Sequence, residues 1–178
     1  MPHRFPQEAV LRDGRRVLLR PFAKRDVGEL YEFFQRLPED SRRFAWHRID
    51  DRAVVERWGV ELDYENVIPL LALDGKRIVA DATLHRRAHG PLRLSGRIKW
   101  TIDPAFRGVG LGSLLVNHFI DTARGLGLKH LNTMLITDLE ADAIRVLSEL
   151  GFRSYEVPGY GTDPDGNQHD MTLMVFKL

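Results

Sequence analysis

Phe106-Arg107-Gly108-Val109-Gly110-Leu111-Gly112-Ser113 is a glycine-alternating stretch between two segments of different periodicity. Before it lies an extended run, Arg97-Ile98-Lys99-Trp100-Thr101-Ile102, closed by the turn pair Asp103-Pro104. After it, apolar residues recur at helical spacing over 111–126. Glycine destabilises the interior of both helix and strand, so three at alternate positions have another use. Removing their side chains lets backbone N–H groups face a ligand. The helix that follows adds orphan N–H groups and the positive end of its dipole. The combination predicts an anion site for a phosphate or pyrophosphate.

Working outward, residues 93–102 alternate as a strand, with Arg93, Ser95, Arg97, Lys99 and Thr101 on one face. Residues 77–85 form a second strand, joined to a buried strand over 67–73 by an Asp74-Gly75 hairpin turn. With the next turn centred near His89, Asp81 falls opposite Arg97, and His85 opposite Arg93. Upstream, 1–16 reads as a tail and a turn around Asp13-Gly14, and 17–22 as a first strand. Asp26 can cap a helix that Pro38 ends, and Asp50 or Asp51 a second helix. Downstream come a strand over 130–136, a helix over 139–150 ending at Gly151-Phe152, and strands over 152–157 and 171–176. The expectation is a single α+β domain over 1–178, with a mixed, mostly antiparallel seven-stranded sheet flanked by four helices.

Composition narrows the functional classes. The 178 residues suit one domain with a sizeable core, and the net charge of +1 gives no electrostatic case for nucleic acid. The absence of cysteine excludes disulfides, thiolate metal sites and a cysteine nucleophile. His85 and His89 straddle a turn, so no metal is expected. The N-terminus lacks the apolar core of a signal peptide, and no apolar run approaches the ~20 residues of a membrane span. A cytoplasmic protein without a membrane partner is the expectation.

The element order and the stretch Arg107-Gly108-Val109-Gly110-Leu111-Gly112 together resemble the GNAT acetyltransferase superfamily, whose motif is Gln/Arg-x-x-Gly-x-Gly/Ala. Ala143, followed eight residues later by Gly151-Phe152, is similar to that family's final helix and its Gly-Phe ending. Val17-Leu18-Leu19-Arg20-Pro21, Leu37-Pro38-Glu39-Asp40-Ser41-Arg42-Arg43-Phe44 and Leu62-Asp63-Tyr64 look like the branch containing protein lysine acetyltransferases. The resemblance implies acetyl-CoA as co-substrate. Backbone N–H groups of Val109, Gly110, Leu111, Gly112 and Ser113 would hold its pyrophosphate, and Arg107 could add a charge. Trp100, Thr101 and Ile102 would pair their backbone with the pantetheine amides. The acceptor would be a small-molecule amine or a protein lysine, and a homodimer is compatible with the family. The dinucleotide fingerprint Gly-x-Gly-x-x-Gly fails, because its third glycine falls on Ser113.

Acetyl transfer to an amine needs a proton acceptor for the amine, stabilisation of the thioester oxygen, and a proton for the thiolate. Many relatives place a glutamate ten residues before the Arg/Gln of the motif, where this chain has Arg97. Many place a tyrosine four residues before the Gly-Phe glycine, where this chain has Leu147, and an asparagine seven residues earlier, here Glu140. Asp81 could act as the base; its ordinary alternative is an ion pair with Arg97. Glu140 could act instead; its alternative is a carboxylate at a helix start. His85 is a third, or no side-chain base is needed, with the Ile102 N–H polarising the carbonyl. Arg97 and Lys99 could hold a carboxylate-bearing acceptor, or form a solvated face. A protein that binds acyl-CoA without turnover is the rival reading.

Overall fold

The computed structural model describes residues 5–178, which divide into two compact units. One unit runs through Thr83 and includes Trp100–Leu111; the other holds Leu84–Lys99 and Gly112–Leu178. The strands are β1 (Gln7–Val10), β2 (Arg16–Pro21), β3 (Val67–Asp74), β4 (Arg77–His85), β5 (Ser95–Ile102), β6 (His130–Ile136), β7 (Arg153–Thr162) and β8 (Gln168–Lys177). Their hydrogen-bonded order is β1-β2-β3-β4-β5-β6-β8-β7. The helices are α1 (Val27–Arg36), α2 (Glu39–Arg43), α3 (Arg52–Glu61), α4 (Leu111–Gly125) and α5 (Ala141–Glu149). Among the described residues no helix is long and apolar enough to cross a membrane.

The α+β class stands, with eight strands and five helices in place of the expected seven and four. The extra helix is α2, a five-residue turn begun after Pro38. The extra strand is β1, within the segment expected to be a tail. It pairs antiparallel with β2, Gln7 against Leu19 and Val10 against Arg16. Its short Gln-Glu-Ala-Val run buries no continuous apolar face, so its strand character comes from the neighbour rather than from its own pattern.

In the first unit, α1 and α3 cover β2–β4 through Phe22, Leu30, Phe33, Phe34, Val55, Leu71 and Ile78. The Asp51 side chain caps α3, accepting the Ala53 N–H at 3.0 Å. Asp26, expected as the cap of α1, makes no capping bond. It is buried instead in a bidentate pair with Arg20, at 2.6 and 2.8 Å, and accepts the Ala23 N–H at 2.8 Å. Burial alone would raise its carboxyl; Arg20 and the Ala23 N–H outweigh that and hold it below the usual range.

In the second unit, β6 alternates buried Leu131, Thr133 and Leu135, and pairs antiparallel with β8. Helix α4 buries Leu115, Val116, Phe119, Ile120 and Ala123 on one stripe. Helix α5 buries Leu147 completely and ends at Gly151, whose φ of +94° is the left-handed cap that glycine tolerates.

Candidate functional site

Strand β5 pairs parallel with β6 only at Ser95, Gly96 and Arg97, while the strand itself continues to Ile102. Among the described residues, its edge on that side is without a strand partner from Ile98 onward. On the other side, the Asp103 N–H donates to the Val79 carbonyl at 2.9 Å. In an antiparallel ladder that bond sets Asp81 opposite Thr101. The expected pairing of Asp81 with Arg97 is therefore displaced by four residues. The connection is centred near Pro91 rather than His89, in a turn closed by Arg93 N–H to Gly90 and Ser95 N–H to Leu92. The same alternation turns the backbone groups of Thr101 toward β4, and those of Trp100 and Ile102 toward the open edge.

Past β5 the chain enters the glycine stretch through a tied turn. Asp103 is buried, accepts the Ala105 N–H at 3.0 Å and receives Arg77 at 2.7 Å. Gly108 and Gly110 have φ of +72° and +92°, conformations that L side chains rarely adopt. Gly108 and Gly110 precede α4, whose first N–H groups lack intrahelical acceptors, and left-handed glycines there are the backbone geometry expected of an anion cradle. Arg107 is held by groups outside these glycines. Its Nε donates to the Ile102 carbonyl at 3.2 Å and its Nη2 to the Ser41 hydroxyl at 3.3 Å. It ties the loop back to the end of β5 instead.

A residue absent from the sequence expectations borders the loop. Arg12, in the β1–β2 hairpin, donates its backbone N–H to the Val109 carbonyl at 3.0 Å. Its side-chain stem lies 3.4 Å from where a Cβ on Gly110 would stand. Nearby, Arg15 donates to the Ala105 carbonyl at 2.7 Å and lies over the Phe106 ring. No local pattern in the hairpin's sequence marks these contacts, whose partners lie ninety residues or more away in the chain.

Asp81 is partly buried, and burial pushes its carboxyl up to about 7 with no neighbouring charge or hydrogen bond contributing. Glu140 has a different setting. One carboxylate oxygen accepts the Ile136 N–H at 2.6 Å, closing the turn before α5. Burial raises its carboxyl and this bond opposes the rise. Leu147, where a tyrosine is common in the family it resembles, is a core side chain with no proton to give.

The second unit contains a pocket of about 190 Å³ whose lining includes Arg86, Arg87, Arg97, Lys99 and Asn132, with no carboxylate among the lining residues. Asn132 donates to Ser95 Oγ at 2.8 Å and the Gly96 carbonyl at 3.1 Å, and its Oδ1 lies 3.5 Å from Arg97 Nε. Burial, and then the adjacent Arg97 charge, lower the Lys99 ammonium below its ordinary value. His85 also lines this pocket. Among the described residues no group of three or more His, Asp or Glu side chains is placed to hold a metal ion.

The profile of the acetyltransferase (GNAT) family matches residues 29–152, more than half of the chain. The chain belongs to this family. Solved GNAT structures share the fold at low identity. The GNAT domain of S. lividans PAT has a TM-score of 0.78 at 22% identity, covering 97% of this chain and 96% of that one. The ribosomal-protein-S5-alanine acetyltransferase of Vibrio fischeri has a TM-score of 0.77 at 18% identity, covering 90% and 92%. The yncA protein of Salmonella typhimurium, solved with its cofactor acetyl-CoA, has a TM-score of 0.76 at 22% identity, covering 91% and 94%. In this GNAT chain the first left-handed glycine of the glycine stretch, Gly108, follows the end of β5 at Ile102 by six residues.

Proposed function

We propose that this GNAT protein moves an acetyl group from acetyl-CoA directly to an amine, with Asp81 as the proton acceptor. The observation that carries this reading is the Asp81 carboxyl, unpaired, partly buried and raised to about 7. A base with that affinity is half ionised near neutrality and can hold the proton it takes. Acetyl-CoA supplies the thioester. The open edge at Trp100 and Ile102 offers backbone N–H and C=O groups to its amide-bearing arm, and residues 108–111 offer the cradle for its pyrophosphate.

In this reading the amine nitrogen forms a bond to the acyl carbon as the carbon–sulfur bond breaks. The Ile102 N–H stabilises the carbonyl oxygen as charge builds there. The neutral amine's proton goes to Asp81 and returns through solvent to the departing thiolate; an acceptor that arrives as an ammonium first loses one further proton to solvent. Leu147 supplies no acid. Glu140 is occupied by the Ile136 N–H and serves the turn into α5. The acceptor is a small-molecule amine or a protein lysine. The cationic pocket around Arg97 and Lys99 favours an acceptor that also bears a carboxylate, which guanidinium binds in a bidentate fork.

The test is release of CoA thiol from acetyl-CoA across a panel of amines with and without carboxylates. Turnover, fastest with a carboxylate-bearing amine, supports the reading. Tight CoA binding with no turnover on any amine or lysine peptide would replace it with a non-catalytic acyl-CoA-binding protein.

A further inference from the structure

The β1–β2 hairpin carries two arginines onto the residues around the glycine loop, and they are treated differently. The Arg15 guanidinium is engaged by Asp13 at 2.6 Å, the Ala105 carbonyl at 2.7 Å and the Phe106 face. Arg12 is held by its backbone, through the 3.0 Å bond from its N–H to the Val109 carbonyl. Its side-chain stem runs along Gly110, close enough that a Cβ would touch Cγ and Nε at 3.4 Å. Among the described residues the Arg12 guanidinium has no carboxylate or carbonyl partner, although Asp13 is its chain neighbour.

Such an arrangement has a chemical reading. A guanidinium held against a left-handed glycine, beside a loop that offers backbone N–H groups, adds full charge to a cradle that otherwise has partial charges only. The residue the family motif would supply for this purpose, Arg107, is turned back to Ile102 and Ser41. We propose that Arg12 is a phosphate-binding residue of the cofactor site, donating its guanidinium to a phosphate of CoA, either the pyrophosphate or the ribose 3′-phosphate. This inference rests on the reading of residues 108–111 as the CoA cradle. It gives the N-terminal hairpin a function: its turn closes over the loop and completes the anion site from outside the glycine motif.

The experiment is calorimetric titration of wild type, Arg12→Gln and Arg12→Lys with CoA and with dephospho-CoA. The bond to Val109 uses the Arg12 backbone, so both variants keep the hairpin seated, and an unchanged Tm verifies it. Arg12→Gln is expected to bind CoA about tenfold more weakly, as loss of one charge-assisted phosphate contact implies. Arg12→Lys should recover part of that loss, and wild-type affinity should fall more steeply with added salt than that of Arg12→Gln. Weakening toward CoA alone assigns the 3′-phosphate; equal weakening toward both ligands assigns the pyrophosphate. Wild-type affinity for both ligands in Arg12→Gln overturns the proposal. Failure of the wild type itself to bind CoA would instead overturn the reading of the loop.

Discussion

The N–H of Asp103 donates to the carbonyl of Val79 at 2.9 Å, and this bond determines which residues of β4 and β5 face each other. It brings Asp81 opposite Thr101, whose neighbours Trp100 and Ile102 turn their backbone groups to the open edge. A raised carboxyl therefore sits across from the segment expected to hold the thioester.

Asp81→Asn should lower kcat/KM at neutral pH and abolish the rise in rate expected of the wild type as pH passes through about 7. Stability should respond with the opposite sense. The folded-state value lies above the ordinary carboxyl value of 3.8, so the wild type loses stability as pH rises from about 4 to about 7. Asn carries no charge to bury, so the variant should melt higher than wild type at pH 8. A wild-type pH–rate profile in Asp81→Asn would rule Asp81 out as the base.

Gly110→Val should abolish CoA binding in a thermal-shift titration. The φ of +92° strains a β-branched residue, and its Cβ would also meet the Arg12 stem. Gly108→Ala meets nothing within 4 Å, and its penalty is the φ of +72° alone, roughly 1 kcal/mol by denaturant unfolding. The two variants separate backbone strain from crowding at the cradle.

Glu140→Gln should retain turnover, because the carboxylate's visible work is to accept the Ile136 N–H at 2.6 Å. Glu140→Ala leaves that N–H without its acceptor and should cost about 1–3 kcal/mol in urea unfolding. A collapse of kcat in Glu140→Gln, with stability intact, would return Glu140 to the catalytic residues.

Asp26→Asn should be among the more damaging changes to stability. It leaves the mostly buried Arg20 guanidinium without its bidentate partner, which costs roughly 3 kcal/mol when a buried pair is broken. Because the Asp26 carboxyl is held below its ordinary value, the wild type should lose this contribution as pH falls below about 4. The variant should show a flatter acid limb in Tm against pH.

Long-period features of the fold were readable because they rest on local chemistry. The glycine stretch, the stripe of α4 and the Gly151-Phe152 ending of α5 each follow from a backbone requirement or an apolar face. The β4–β5 register did not, since it depends on how many residues the 86–94 connection spends in turns rather than on either strand's pattern. Asp26 looked like a cap because aspartate before an apolar run usually is one; the buried Arg20 outcompeted the helix for it. Arg12 and Asn132 escaped notice because their partners are distant in sequence and no spacing announces them.

The open edge of β5 has an evolutionary consequence. N–H and C=O groups are the same on every residue, so an arm that docks at Trp100 and Ile102 is read without reference to side-chain identity. Substitutions there that keep the strand extended leave that reading intact. Side chains along the strand are then free to drift while the backbone edge keeps the same donors and acceptors.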